Sequence, residues 1–280
     1  MGCGVSSCCI PRAEVVEYTD SALPEGFVGV NESSDKKLIA EFVEVLALSF
    51  CGSTTSSPEA SISWAIDAGP EGSNPVLPLS SEPSKERKDF YNYLMKFIFL
   101  TAARHGMCFA LQDDQGKIVA AAVAFPPNNR RLHETRNSEW IHIIRCLGGF
   151  SNLPKYFTSG RSAKVLGLLD KMLHKAHRQK APLRHLYVHC FATHPSEQGK
   201  GYGRKLAEFL NSCADYMRVP TYLETNGVSN ERFYGKNGFV LVGERMAVEV
   251  DGQSFKPDGL EGISCMLREP AVMANVTVPK

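Results

Sequence analysis

An α/β fold is what the sequence predicts, and three observations carry that expectation. Residues 186–192 form an apolar run of strand length; the glycine-rich turn Gln198-Gly199-Lys200-Gly201-Tyr202-Gly203-Arg204 follows it. Beyond the turn, Leu206, Phe209, Leu210, Cys213, Ala214 and Met217 recur on one face at helical spacing. Upstream, 107–111 and 118–125 are β-type runs on either side of Asp113-Asp114-Gln115-Gly116-Lys117, a hairpin signal. Earlier still, apolar residues at Leu38, Ile39, Phe42, Val43, Leu46 and Phe50 repeat with a helical period.

The elements follow in order. A first edge strand is expected over 13–18, then a loop to about Ser34. The first helix starts there, with Ser34 or Asp35 as N-cap. Residues 52–83 are rich in Ser, Gly and Pro and read as a long surface loop with a few apolar residues around Trp64. A second helix runs from Ser84, with Phe90, Leu94, Phe97, Ile98 and Thr101 inward and Gly106 closing it. After the hairpin, 128–184 holds two helices, one around Ile143, Ile144 and Leu147 and one around Val165, Leu169, Met172 and Ala176. Residues 239–250 and 263–267 complete the sheet.

Composition bounds the rest. A chain of 280 residues, 43% hydrophobic and 22% charged, can bury a substantial core and fits one large domain over 13–280 with insertions. The formal net charge of +1 selects no partner by itself. Residues 130–184, however, hold 12 Lys and Arg against 3 Asp and Glu, a balance of +9 that leaves the remainder at −8. Such a stretch can attract anions, RNA among them, but it lacks the interleaved aromatics of nucleic-acid binders and reads as a solvated helix face. No nucleic-acid partner is expected. No apolar run reaches the roughly 18–20 residues a bilayer requires. Of nine cysteines, six are scattered through expected core elements, as in a reduced cytoplasmic protein. The other three, Cys3, Cys8 and Cys9, crowd a 1–12 tail in which Gly2 and Ser6 fit the myristoylation pattern and Cys3 is a candidate palmitoylation site. Peripheral membrane anchoring through Gly2 and Cys3 is an expectation of that pattern.

A turn with three glycines can point backbone N–H groups outward, and the positive end of the following helix dipole adds to them, so the turn suits phosphate. The dinucleotide pattern Gly-x-Gly-x-x-Gly and the triphosphate pattern with Gly-Lys-Ser/Thr are both absent. What stands here is Gln-x-x-Gly-x-Gly after Ala192-Thr193-His194-Pro195. A second block reads Pro220-Thr221-Tyr222-Leu223-Glu224-Thr225-Asn226, Asn230-Glu231-Arg232-Phe233-Tyr234 and Asn237-Gly238-Phe239.

Together these blocks resemble the acetyl-CoA site of the GNAT superfamily of N-acetyltransferases, closest in wording to the branch holding the puromycin N-acetyltransferases. The resemblance covers about 186–244, the acetyl-CoA-binding core. It implies a mixed, mostly antiparallel central sheet flanked by helices, with 128–184 as a helical insertion before the cofactor-binding strand. It implies acetyl-CoA as co-substrate, and a small amine as acceptor through the puromycin-like wording. By resemblance, Phe191, Ala192 and Thr193 hold the pantetheine arm through their backbone. Gln198, Gly199, Lys200, Gly201, Tyr202, Gly203 and Arg204 form the pyrophosphate loop, and Asn230 lies near the pantetheine end; an Asn there also suits the N-cap of a short helix over 230–234.

Acetyl transfer needs an oriented thioester, a neutral amine and an acid for the departing thiolate. Tyr234 matches the superfamily's tyrosine acid; a buried tyrosine packing a helix on the sheet is the other reading. Glu224 matches a glutamate that deprotonates the amine in some relatives, and His189 competes for that role. Strand alternation would put His185, Tyr187, His189 and Phe191 on one face, where His189 is either catalytic or a hydrogen-bonded core histidine. His185 and His189 are too far apart on a strand to form a metal site without a third ligand, and no metal is expected. The expected activity is N-acetylation by direct transfer in a ternary complex. A non-catalytic, membrane-tethered acyl-CoA-binding adaptor and a protein- or ribosome-associated acetyltransferase are the alternatives.

Overall fold

The computed structural model describes residues 23–66, 78–127, 137–158, 160–257 and 260–271. The strand expected over 13–18 and the acylation sites Gly2 and Cys3 lie outside them, as do parts of the 52–83 and 128–184 segments. Among the described residues no helix is long and apolar enough to cross a membrane.

Strand β1 is Phe27–Gly29, inside the stretch expected to be loop, and it pairs antiparallel with β2. Helix α1 (Lys36–Cys51) starts at Asp35, whose carboxylate accepts from the Lys37 amide at 2.7 Å. A short helix, α2 (Ala60–Ile66), interrupts the expected surface loop and buries Trp64 to 2% exposure. Its ring packs on Phe255 at 5.4 Å under the Arg161 guanidinium at 4.8 Å. Helix α3 (Lys85–His105) is capped by Ser84, and strands β2 (Met107–Gln112) and β3 (Ile118–Phe125) follow as a hairpin. All eight residues of β3 are buried, because helices cover both of its faces.

Helices α4 (Asn137–Cys146) and α5 (Gly160–Lys180) fill the basic insertion. Lys164, Lys171, Lys175 and Arg178 of α5 are exposed, so that part of the positive charge faces water. Strand β4 (Leu186–Thr193), helix α6 (Tyr202–Met217), strand β5 (Thr221–Thr225) and helix α7 (Val228–Lys236) come next. The last elements among the described residues are β6 (Val240–Leu241), the small ribbon β7 (Glu249–Val250) with β8 (Gln253–Ser254), and β9 (Ser264–Arg268). The expected strand over 239–250 is thus reduced to two residues in the sheet. Gly243, at φ 65°, interrupts the strand, and pairing with the β9 segment resumes only as the Met246–Ile263 bridge.

The seven-stranded sheet has the order β1-β2-β3-β4-β5-β9-β6, antiparallel throughout except for β4 beside β5. One face packs against α1, α2, α3 and α5, the other against α6.

Two irregularities in β4 create the site. Cys190 pairs with Val123 and Val188 with Ala124, which leaves His189 as an extra residue, a β-bulge. The bulge reverses the alternation. Tyr187 faces the α1–α5 side, yet past the bulge Cys190 and Ala192 take that side and Phe191 joins the α6 side. Tyr187 and Phe191 therefore do not share a face, contrary to simple alternation. In addition, β4 and β5 are in register only from Leu186–Thr221 to Val188–Leu223, although both strands continue. They splay apart at the bulge.

Candidate active site

The splay opens into a cavity of about 1360 Å³. Its floor is the parted ends of β4 and β5. Phe191, Thr193, Gln198, Gly199, Gly201, Gly203, Arg204, Asn230 and Tyr234 line one half; Lys200, Tyr202 and Ala192 belong to the same segments without lining it. His189 and Glu224 stand where the halves meet the sheet, and α2, α3 and α5 wall the other half.

The turn before α6 adopts the conformation its glycines allow. Gly199 has φ 80° and Gly201 φ 91°, and a Cβ at either would stand in open space; the backbone conformation makes glycine the favoured residue. Gly201 is the N-cap and offers no side chain, so the first-turn amides of α6 keep their donors. Gly203 serves packing, since a Cβ there would lie 3.1 Å from Thr193 Oγ1 and 3.8 Å from the Phe191 and Phe233 rings. This cradle suits a diphosphate: a helix N-terminus whose first-turn amides meet no capping side chain, and open space at Gly199 and Gly201. Lys200 and Arg204 are exposed and ion-paired to Glu197 at 2.9 Å and Glu208 at 2.8 Å.

Helix α7 starts two residues before the expected Asn230. Gly227, at φ 83°, carries the chain from strand into helix, so Asn230 lies within the first turn and is not the N-cap. Its Nδ2 donates to Asn226 O at 2.9 Å. Tyr234 packs its ring against Phe191 at 6.0 Å, Phe233 at 5.2 Å and Phe239 at 5.6 Å. Burial, and then the neighbouring Cys190 thiol, raise its phenol well above the ordinary range, so it stays protonated.

Nδ1 of His189 is 3.1 Å from the Tyr187 hydroxyl, and burial lowers the ring from 6.5 to about 4, which keeps it neutral. Glu224 sits on β5 opposite Cys265, one of its carboxylate oxygens fully enclosed. Tyr222, two residues earlier on the same face, has its phenol raised by burial and then by the Glu224 carboxylate.

Two residues not expected from the sequence belong to this cavity. Glu59 caps α2, accepting from the Ile62 amide at 2.7 Å, and it also accepts from Asn226 Nδ2 at 2.6 Å, joining α2 to the end of β5. Cys190 lines the cleft as a thiol; burial, then Glu59, push it up to about 12.

Residues 163–241 match the sequence model of the acetyltransferase (GNAT) domain. The fold is that of the GNAT acetyltransferases. Among solved structures, arylalkylamine N-acetyltransferase 2 from Aedes aegypti aligns over 87% of this chain and 97% of its own, at 14% identity and TM-score 0.51. A Corynebacterium glutamicum protein described as histone acetyltransferase HPA2 and related acetyltransferase aligns over 89% and 98%, at 16% identity and TM-score 0.49. No curated protein sequence matches the chain. Within the GNAT domain match fall β4, the glycine turn, α6, β5 and α7, the segments that line the glycine-turn half of the cavity.

Proposed function

We propose that the chain is an acetyl-CoA-dependent N-acetyltransferase that acetylates the primary amine of a small molecule by direct transfer in a ternary complex. The observation that carries this reading is that the parted ends of β4 and β5 and the uncapped α6 turn open into one cavity. The backbone of Phe191, Ala192 and Thr193, on the edge of β4 that β5 has left, would receive the pantetheine arm. The amides from Gly199 to Arg204, apart from that of Lys200, which donates to Glu197 O at 3.4 Å, would receive the diphosphate. The puromycin-like wording of 223–239 supports a small acceptor.

In the reaction the amine arrives as R–NH3⁺ and gives one proton to solvent. The neutral nitrogen forms a bond to the thioester carbonyl carbon and loses a second proton to Glu224 or His189. The carbon–sulfur bond breaks, and the thiolate takes a proton from the Tyr234 phenol. The products are R–NH–CO–CH3 and CoA-SH, and Tyr234 recovers its proton from the base side through solvent. Cys190 takes no acyl group in this scheme, because a thiol pushed up to about 12 is not a thiolate at neutral pH. The Gly2 and Ser6 pattern with Cys3 supports, separately, a cytoplasmic enzyme tethered to a membrane by acylation.

Calorimetry with acetyl-CoA tests the cofactor half. The wild type binds; Gly201→Asp, which puts a carboxylate and a strained backbone into the phosphate cradle, does not. Wild-type protein that gives no heat with acetyl-CoA overturns the proposal.

A further inference from the structure

The cavity does not end at Glu224 and His189. It continues as a chamber between α3 and α5, with Tyr93 and Phe97 of α3, Phe157 of the segment before α5, and Leu166 and Leu173 of α5 among its walls. The spacing on α5 explains the arrangement: Ala163, Leu166, Gly167, Asp170 and Leu173 form one stripe at helical period, and the exposed lysines 164, 171 and 175 lie off it.

The charges around the whole cavity are few and unevenly placed. Among the described residues Arg204 is the one Lys or Arg that lines it, and it stands at the diphosphate end. Glu59, Asp170 and Glu224 are its carboxylates. Glu59 is engaged with the α2 amides and Asn226, and Glu224 lies at the reacting end. Asp170, exposed on α5, is therefore the single carboxylate along the chamber wall among the described residues. An acceptor bearing several ammonium groups would leave most of them desolvated against aliphatic and aromatic carbon, at a cost that one exposed carboxylate does not offset. An acceptor with a carboxylate beside its amine would find no Lys or Arg at the acceptor end among the described residues. An apolar body, by contrast, gains from every methylene it removes from water.

Resting on the acetyltransferase reading, we infer that the acceptor is a monoamine on a bulky apolar body, an arylalkylamine or long-chain alkylamine, with its amine at Glu224 and His189 and its body between α3 and α5. The chamber then acts as the device that selects for apolar length.

Thiol release from acetyl-CoA, measured on the full chain, tests this with ethylamine, butylamine, hexylamine, 2-phenylethylamine and spermidine. Burial of each methylene is worth about fourfold in affinity, so kcat/KM is expected to climb by about that factor per methylene from ethylamine to hexylamine. The value for 2-phenylethylamine is expected to exceed that for spermidine by tenfold or more. Gly167→Phe fills the chamber from a helical position where an added Cβ meets nothing within 4 Å. It is expected to raise the hexylamine KM at least tenfold with acetyl-CoA affinity, read by calorimetry, within twofold. Leu166→Asp, which brings charge to the same wall, is expected to reverse the order of hexylamine and spermidine. A flat alkyl series, a preference for spermidine, or acetyl-CoA binding without turnover of any apolar amine overturns the inference and leaves the cofactor assignment standing. Absence of acetyl-CoA binding defeats the parent reading instead.

Discussion

The Tyr187 hydroxyl lies 3.1 Å from Nδ1 of His189, at the point where β4 bulges and parts from β5. The bond joins the bulged residue to one two positions earlier on the same strand. It also leaves Nε2 as the remaining nitrogen of a neutral imidazole.

That neutrality gives a pH prediction. Burial lowers His189 from 6.5 to about 4, so between those values the unfolded chain holds a proton that the folded protein refuses. Its contribution to stability is complete above about pH 6.5 and is lost as pH falls toward 4. The melting temperature of the wild type should drop across that window more steeply than that of His189→Leu. Parallel curves for the two proteins would show that the ring is not held neutral.

Tyr234→Phe removes the phenol but keeps the ring that packs on Phe191, Phe233 and Phe239. If the phenol protonates the leaving thiolate, kcat falls on the order of a hundredfold, while acetyl-CoA affinity stays within about twofold. Steady-state kinetics and calorimetry together decide; an unchanged kcat removes the acid role.

Gly203→Val tests the close approach of α6 to β4. Its Cβ would stand 3.1 Å from Thr193 Oγ1 and the branch would reach the aromatic rings beyond. Displacing the N-terminus of α6 should weaken acetyl-CoA binding tenfold or more with far-UV circular dichroism unchanged. Retained affinity would mean that the cradle tolerates the shift.

Arg87 is a stability element away from the reacting end. Its buried guanidinium donates to the Cys51 carbonyl from Nε at 3.0 Å and Nη2 at 2.9 Å, and also to Ser63 Oγ, tying the end of α1 and the body of α2 to α3. Arg87→Met keeps the aliphatic stem and deletes the donors, which should cost about 2–3 kcal/mol. Urea denaturation reads the change; a midpoint equal to wild type would discount these bonds.

The parts of the fold legible in the sequence were those with a period long enough to count. β4, the glycine turn and α6 announce themselves because Leu206, Phe209, Leu210 and Cys213 repeat over several turns. α2 does not, since seven residues hold less than two turns and Trp64 in a Ser-rich context reads as loop. The bulge at His189 is invisible for another reason: it is a register between two strands, and the residues of β4 alone carry no mark of it. The 239–250 stretch reads as a strand until Gly243 turns it. At the site, the glycines, Tyr234, Glu224 and His189 came from motif and resemblance, whereas Glu59 came only with the structure. A glutamate after a proline in a loop has no pattern that points across the chain to Asn226, 167 positions away.

The brevity of α2 has a further consequence. A lone helix of its length would melt in water, so this side of the cavity persists through borrowed support. Asn226 clasps its first turn at Glu59, Arg161 spans its tail through the Trp64 carbonyl at 3.0 Å, and Phe255 closes over Trp64. The outline that a substrate would meet along α2 therefore depends on Asn226 just past β5, Arg161 of α5 and Phe255 just past β8 as well as on the residues of α2 itself.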